Sequence, residues 1–274
     1  MRPSRLIPLA VLATLATLSL PTRAASGWYL NTAGTGWSGA SFVSSLNVAG
    51  AGFVEQELSW AVLGITFQEH GAYQVVGNTG SHELTVSYNV TGAVGLLGSG
   101  FTGGTLDLYA DSALDFGGTQ GFYGADNGTR IARFTVVGGQ IDPIQRQVGV
   151  QAQLVAGSLA SGYFFDLEGN DLSGRDTLTL SLGISSTIVD PAGTNIVPEI
   201  VCQQAGFTGA GCNGQAYQPS FLDLRYATVQ DVGVATLDYP TLNQPVTAVP
   251  EPASALMLLT GLLGLAARQR FRQG

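Results

Sequence analysis

The sequence predicts an all-β fold, an antiparallel β-sandwich of jelly-roll-like or similar topology, and three observations carry that expectation. Residues 176–184 alternate without error, placing Leu178, Leu180, Leu182 and Ile184 on one face and threonine or serine on the other, the pattern of a half-buried antiparallel strand. The 38 glycines suit many tight reversals, and the charged fraction of 11% is too low for a disordered chain. No amphipathic helix longer than two turns can be drawn between residues 27 and 249.

Each element follows from the same period. Alternation recurs at 83–90, 105–109, 131–137, 148–154 and 221–229, with weaker strands at 58–67 and 72–76. Asp126-Asn127-Gly128 is a hairpin-type turn, because Asn and Gly tolerate positive φ. The rhythm breaks over 190–220, an unusually long connection, which reads as an ordered excursion carrying Cys202 and Cys212. Residues 240–249, with Pro240 and Pro245, form a spacer.

Both ends read as addresses. Arg2 and Arg5 precede an uncharged run from Leu6 to Leu20, then Pro21-Thr22-Arg23-Ala24, which predicts a helical signal peptide over 1–24 with cleavage at Ala24 and use of the secretion machinery. At the other end Pro250-Glu251-Pro252 stands before an apolar run over 253–267 and the basic residues Arg268, Arg270 and Arg272. The prolines lack N–H donors and exclude the triplet from a helix interior or central strand. The apolar run predicts a short transmembrane helix; fifteen residues reach only roughly 22 Å, short of the ~30 Å hydrocarbon core, which fits a provisional anchor. The arginines then place the C-terminus in the cytoplasm and residues 25–249 outside. The domains expected are therefore the signal peptide, a sandwich domain over 25–239, the spacer and a sorting segment over 250–274.

Between the two ends, five arginines face eighteen acidic residues, and lysine is absent from the chain. A net charge of about −13 excludes nucleic acid and anionic membrane surfaces as natural partners. It fits a soluble exported protein, with divalent-cation binding as the alternative. Cys202 and Cys212 are the two cysteines; export favours a disulfide between them, and their spacing matches no zinc pattern.

Catalytic signatures are missing. His70 and His82 each adjoin an acid, yet neighbours on a strand point to opposite faces, so both read as surface or edge-strand histidines. No nucleophile elbow, zincin helix or phosphate loop is present. The expectation is a non-enzymatic chain, although a glycoside hydrolase needs only two carboxylates. No cofactor is expected. Calcium is the alternative, at the oxygen-rich stretch with Asp166, Asp171 and Asp176, which a solvated turn explains equally well. Asp107, Asp111 and Asp115 do not make a site, because 105–109 reads as strand. Core packing is the commoner fate of aromatics such as Trp28, Tyr29, Trp37 and Trp60, with exposed rings for stacking on sugars as the alternative, for which Trp28 and Trp37 are the favoured pair.

The triplet, short helix and basic end together resemble the sorting signal of PEP-CTERM proteins. That resemblance implies an exosortase-type membrane protease as partner, acting at Pro250, Glu251 and Pro252. The pieces Phe53-Val54-Glu55, Phe67-Gln68-Glu69-His70-Gly71, Gly162-Tyr163-Phe164-Phe165 and Asp171-Leu172-Ser173 are similar to the flocculation-associated group of that family. The similarity implies an exported protein of the cell surface or extracellular matrix, structural or adhesive in flocs or biofilm, with exopolysaccharide as partner. A secreted carbohydrate-binding module and a secreted hydrolase are the alternatives.

Overall fold

The computed structural model describes residues 27–77, 80–117, 122–188 and 226–239. The expected signal helix with Ala24, the 190–220 loop with Cys202 and Cys212, the spacer and the sorting segment with Pro250, Glu251, Pro252, Arg268, Arg270 and Arg272 lie outside the described residues. Among the described residues no helix is long and apolar enough to cross a membrane.

Eleven strands are described: β1 (Trp28–Leu30), β2 (Ser41–Val43), β3 (Leu46–Ser59), β4 (Gly64–Val76), β5 (Glu83–Gly95), β6 (Gly98–Asp111), β7 (Thr129–Asp142), β8 (Gln147–Leu154), β9 (Phe164–Phe165), β10 (Thr179–Ile188) and β11 (Tyr226–Asp238). Eight of them close into an antiparallel barrel in the order β10-β11-β3-β4-β5-β6-β7-β8, with β8 returning to pair with β10. The remaining three form a small sheet, β2-β1-β9.

This corrects the expected sandwich. Period-two alternation says which side of a strand is buried, and both a sandwich and a barrel bury one side. Closure depends on which edges meet, here β11 against β3, with Val232 opposite Ala49 and Val229 opposite Gly52, a pairing between strands far apart in sequence. Bulges at Thr91/Gly92, Leu108/Tyr109 and Val136/Gly138 help the long strands to bend round.

The expected strands at 83–90, 105–109, 131–137 and 148–154 lie inside β5 to β8, and that at 176–184 overlaps β10. Residues 226–229 of the expected 221–229 strand open β11. The strand expected at 58–67 is instead a hairpin: β3 ends at Ser59, the chain turns through Trp60-Ala61-Val62-Leu63, and β4 starts at Gly64. Its tip is apolar and lacks the usual turn residues, with Leu63 carrying the positive φ of 48°. That composition hid the reversal.

The barrel is apolar inside and polar outside, the reverse of a transmembrane barrel. Val48, Leu84, Val86, Leu106, Phe134, Val150, Leu182 and Leu237 point inward, while Gln68, Gln74, Ser87, Gln151, Gln153 and Ser181 alternate with them outward. The small sheet closes one end. Trp28, 1% exposed, enters the core beside Leu46, Val48, Phe164 and Leu182, and Leu30, Leu159 and Leu172 belong to the same core. Trp28 thus takes the core-packing fate and not the exposed alternative: it sits in phase with Leu30 on the inward face of β1. Trp37 lies on the other side of that sheet, half exposed, with its ring 4.6 Å from Tyr29 and 5.5 Å from Phe165.

Candidate functional site in the barrel lumen

The antiparallel meander sends the β3–β4, β5–β6 and β7–β8 hairpins to the end opposite the small sheet. That end holds a cavity of about 310 Å³. Eight strands make a barrel wide enough for packed side chains or one small ligand, and here the lumen is packed at the capped end and hollow at the other. Ile65, Val94, Phe101, Ile141 and Val148 line the outer part of the cavity. The hairpin tips continue this apolar surface into solvent: Trp60 is 89% exposed, Leu96 87% and Ile144 91%. Among the described lining residues the one base is Arg146, exposed on the β7–β8 hairpin.

The floor of the cavity is polar. Glu69 and Tyr73 on β4, Tyr88 on β5 and Asp231 on β11 all occupy inward positions. The phenol of Tyr73 donates to Asp231 Oδ2 at 2.9 Å, and that of Tyr88 donates to Glu69 Oε1 at 2.7 Å while lying 3.5 Å from Asp231 Oδ2. The two rings stack with centroids 4.6 Å apart and planes 19° from parallel. Glycines make the space. Gly50 stands between Asp231 and Tyr73 in the β11-β3-β4 row, so no side chain separates phenol from carboxylate. A Cβ on Gly52 would lie 2.5 Å from both Glu69 Oε1 and the Tyr88 oxygen, and one on Gly71 would collide with the Tyr88 ring.

Burial sets the electrostatics. Removal from water pushes the Glu69 carboxyl up to about 8, and the neighbouring Asp231 charge pushes the same way; the Tyr88 hydrogen bond opposes both. Asp231 is raised too, chiefly by burial, while Ser186, Tyr73 and Tyr88 favour its ionised form. Both phenols are held well above their ordinary value, first by burial and then by the nearby carboxylates. Glu69 is enclosed by protein yet keeps some contact surface, the surface that it turns to the cavity. Asp231 is 3% exposed, and its Oδ1 has no hydrogen-bond partner. Near neutral pH Glu69 therefore holds its proton, while three hydroxyl donors favour the ionised form of Asp231.

The residues singled out in the sequence fall elsewhere. His70 is on the outer face of β4 and is buried, not a surface histidine; its ring lies 2.9 Å from Gln68 Nε2, and burial lowers it to about 4 against the pull of Glu55. His82 is in the β4–β5 connection, 2.9 Å from Ser81 Oγ. Asp107 takes a bidentate pair from Arg133 at 2.6 and 2.7 Å on the outer wall; Asp111 accepts from the Ala113 amide, and Asp115 accepts from the Asn127 side chain. The calcium candidates are separated by role. Asp166, buried, accepts from the Glu168 and Asn170 amides and the Asn170 side chain; Asp171 accepts from Gly162 and Ser173; Asp176 is exposed. Among the described residues no three His, Cys, Asp or Glu side chains gather as a metal site.

Sequence reasoning missed Tyr73, Tyr88 and Asp231 and valued Glu69 only as part of a motif. A signal was present: Glu69 is in phase with Ile65, Phe67 and Val75, and Asp231 with Val229, Ala235 and Leu237. An acid at an apolar phase marks a polar group turned into the core.

Fold and site together define a closed eight-stranded antiparallel barrel with a capped end and a hollow, acid-floored end. Residues 248–270 match the PEP-CTERM protein-sorting motif, so the chain carries that sorting signal. The signal implies export, transient membrane anchoring through the C-terminal segment and processing by an exosortase-type membrane protein. Neither curated proteins nor solved structures give a match to the chain.

Proposed function

We propose that this chain is an exported binding protein whose barrel holds one small, largely apolar molecule in its lumen, without catalysis and without a bound metal. The observation that carries this reading is the asymmetry of the lumen. Trp28 and its neighbours fill one end, while the other is hollow, lined by aliphatic and aromatic side chains, and open beside the hairpin tips. Pockets of this size with mostly apolar walls and a few convergent polar groups are the usual form of small-molecule sites. The test is titration of the full chain with the neutral dye N-phenyl-1-naphthylamine. A saturable 1:1 fluorescence rise, abolished in Val94→Trp, supports lumenal binding; no saturable rise, or one unchanged in Val94→Trp, defeats it. Calcium added over a wide range leaves the melting temperature unchanged on this reading.

A second reading is a structural or adhesive role in flocs or biofilm through exopolysaccharide. It is favoured by the partly exposed aromatic surface of Tyr29, Trp37 and Phe42 on the outer side of the small sheet, since planar rings stack on sugars. A deletion strain that aggregates like its parent would sink it.

A further inference from the structure

We propose that the lumenal ligand is an amphiphile with a cationic amine head, bound head-inward at the carboxyl pair Glu69 and Asp231 with its apolar body directed to the hairpin rim. This rests on the lumenal-binding reading and deepens it. Four observations converge. Two carboxyl groups gather around the Tyr88 hydroxyl at the cavity floor without a basic side chain among the described lining residues beside them; Arg146 is exposed on its hairpin at the mouth. Asp231, almost wholly buried, has an oxygen without a partner. Tyr73 and Tyr88 stack on each other and donate their hydroxyls to the pair, which fixes both carboxyl groups in place. Beyond the floor, the lining through Phe67, Ile65 and Val94 to the rim at Leu96 is apolar, which fixes the orientation of the ligand.

A neutral or anionic head is disfavoured by the same geometry. An anion would enter beside a buried negative charge, and a neutral head would leave that charge without a counter-ion. An ammonium neutralises it and has three N–H donors for the carboxylate oxygens. The groups facing Glu69 are Tyr73 on its own strand, Tyr88 from β5 and Asp231 from β11, all acidic. A cation bound there favours ionisation of both carboxyls, so binding expels the proton that Glu69 holds.

Calorimetry of the full chain at pH 7 with decylammonium, decanol and decanoate tests this without any variant. Decylammonium is expected to bind at least tenfold tighter than decanol, decanoate weakest, with close to one proton released per ammonium across buffers of different ionisation enthalpy and none with decanol. Glu69→Gln is expected to weaken decylammonium at least tenfold and abolish the proton release while leaving decanol unchanged. Should decanol or decanoate equal decylammonium, the amine inference falls and lumenal binding stands. If none of the three binds, both fall. Asp231→Asn repeats the comparison if Glu69→Gln does not fold.

Discussion

The hydroxyl of Tyr73 reaches Asp231 Oδ2 at 2.9 Å although 158 positions separate the two residues, because the strand between them contributes Gly50 to the row. A phenol on β4 thereby spans β3 to a carboxylate on β11. Removing the hydroxyl in Tyr73→Phe takes a donor from a buried carboxylate and is expected to cost about 1–3 kcal/mol. Urea unfolding at pH 7 measures it, with the midpoint falling at constant slope. An unchanged midpoint would show that the bond contributes nothing net.

Gly71 and Gly183 are both strand glycines with opposite surroundings. A Cβ on Gly71 meets the Tyr88 ring, whereas one on Gly183 meets nothing within 4 Å. Gly71→Ala is therefore expected to destabilise by about 1–3 kcal/mol through overpacking. Gly183→Ala is expected to be neutral or to stabilise by up to about 1 kcal/mol, since alanine has less freedom to lose on folding. Thermal unfolding of the two variants side by side checks the contrast.

Two neighbouring residues on β4 give opposite pH dependences. Glu69 titrates near 8 in the fold against an ordinary 4.5, so the folded chain holds an extra proton between those values and stability falls as pH rises through them. His70 titrates near 4 against 6.5, so the unfolded chain holds the extra proton and stability rises from pH 4 to 6.5. The stability of the native chain minus that of Glu69→Gln is expected to decline from pH 4.5 to 8. The same difference for His70→Gln is expected to increase between pH 4 and 6.5. Melting temperatures across this range decide both signs.

The tryptophans separate packing from display. Trp28→Ala empties the capped end and is expected to cost about 3–5 kcal/mol. Trp60→Ala, at the tip of the β3–β4 hairpin, is expected to stay within about 0.5 kcal/mol of the native chain. If the rim guides apolar ligands to the cavity, Trp60→Ala slows dye association in stopped-flow measurements while leaving the melting temperature in place.

Legibility in the sequence followed burial. Strands β5 to β8 and β10 were readable because a wall with one apolar side writes a period-two signal. The early strand β3 was not, because its run of Ala49, Gly50, Ala51 and Gly52 has too little contrast between faces to show a period. The candidate site was nearly invisible. Its four polar residues lie on three strands, and Asp231 is 158 positions from Tyr73. The piece Phe67-Gln68-Glu69-His70-Gly71, noted as a family resemblance, proved to supply two residues of the cavity lining, Phe67 and Glu69, and Gly71, which makes room for the Tyr88 ring, with His70 turned outward.

The sequence alone determined that this is an antiparallel β protein with an acidic body and a PEP-CTERM tail, since alternation, composition and a contiguous motif are local properties of the chain. The tertiary structure decided that the sheet closes on itself, that Trp28 plugs one end, and that Glu69 and Asp231 meet around the Tyr88 hydroxyl on the floor of a hollow lumen. Those outcomes depend on which strand edges meet, and edge pairing is set by long-range register and twist, which no local pattern records.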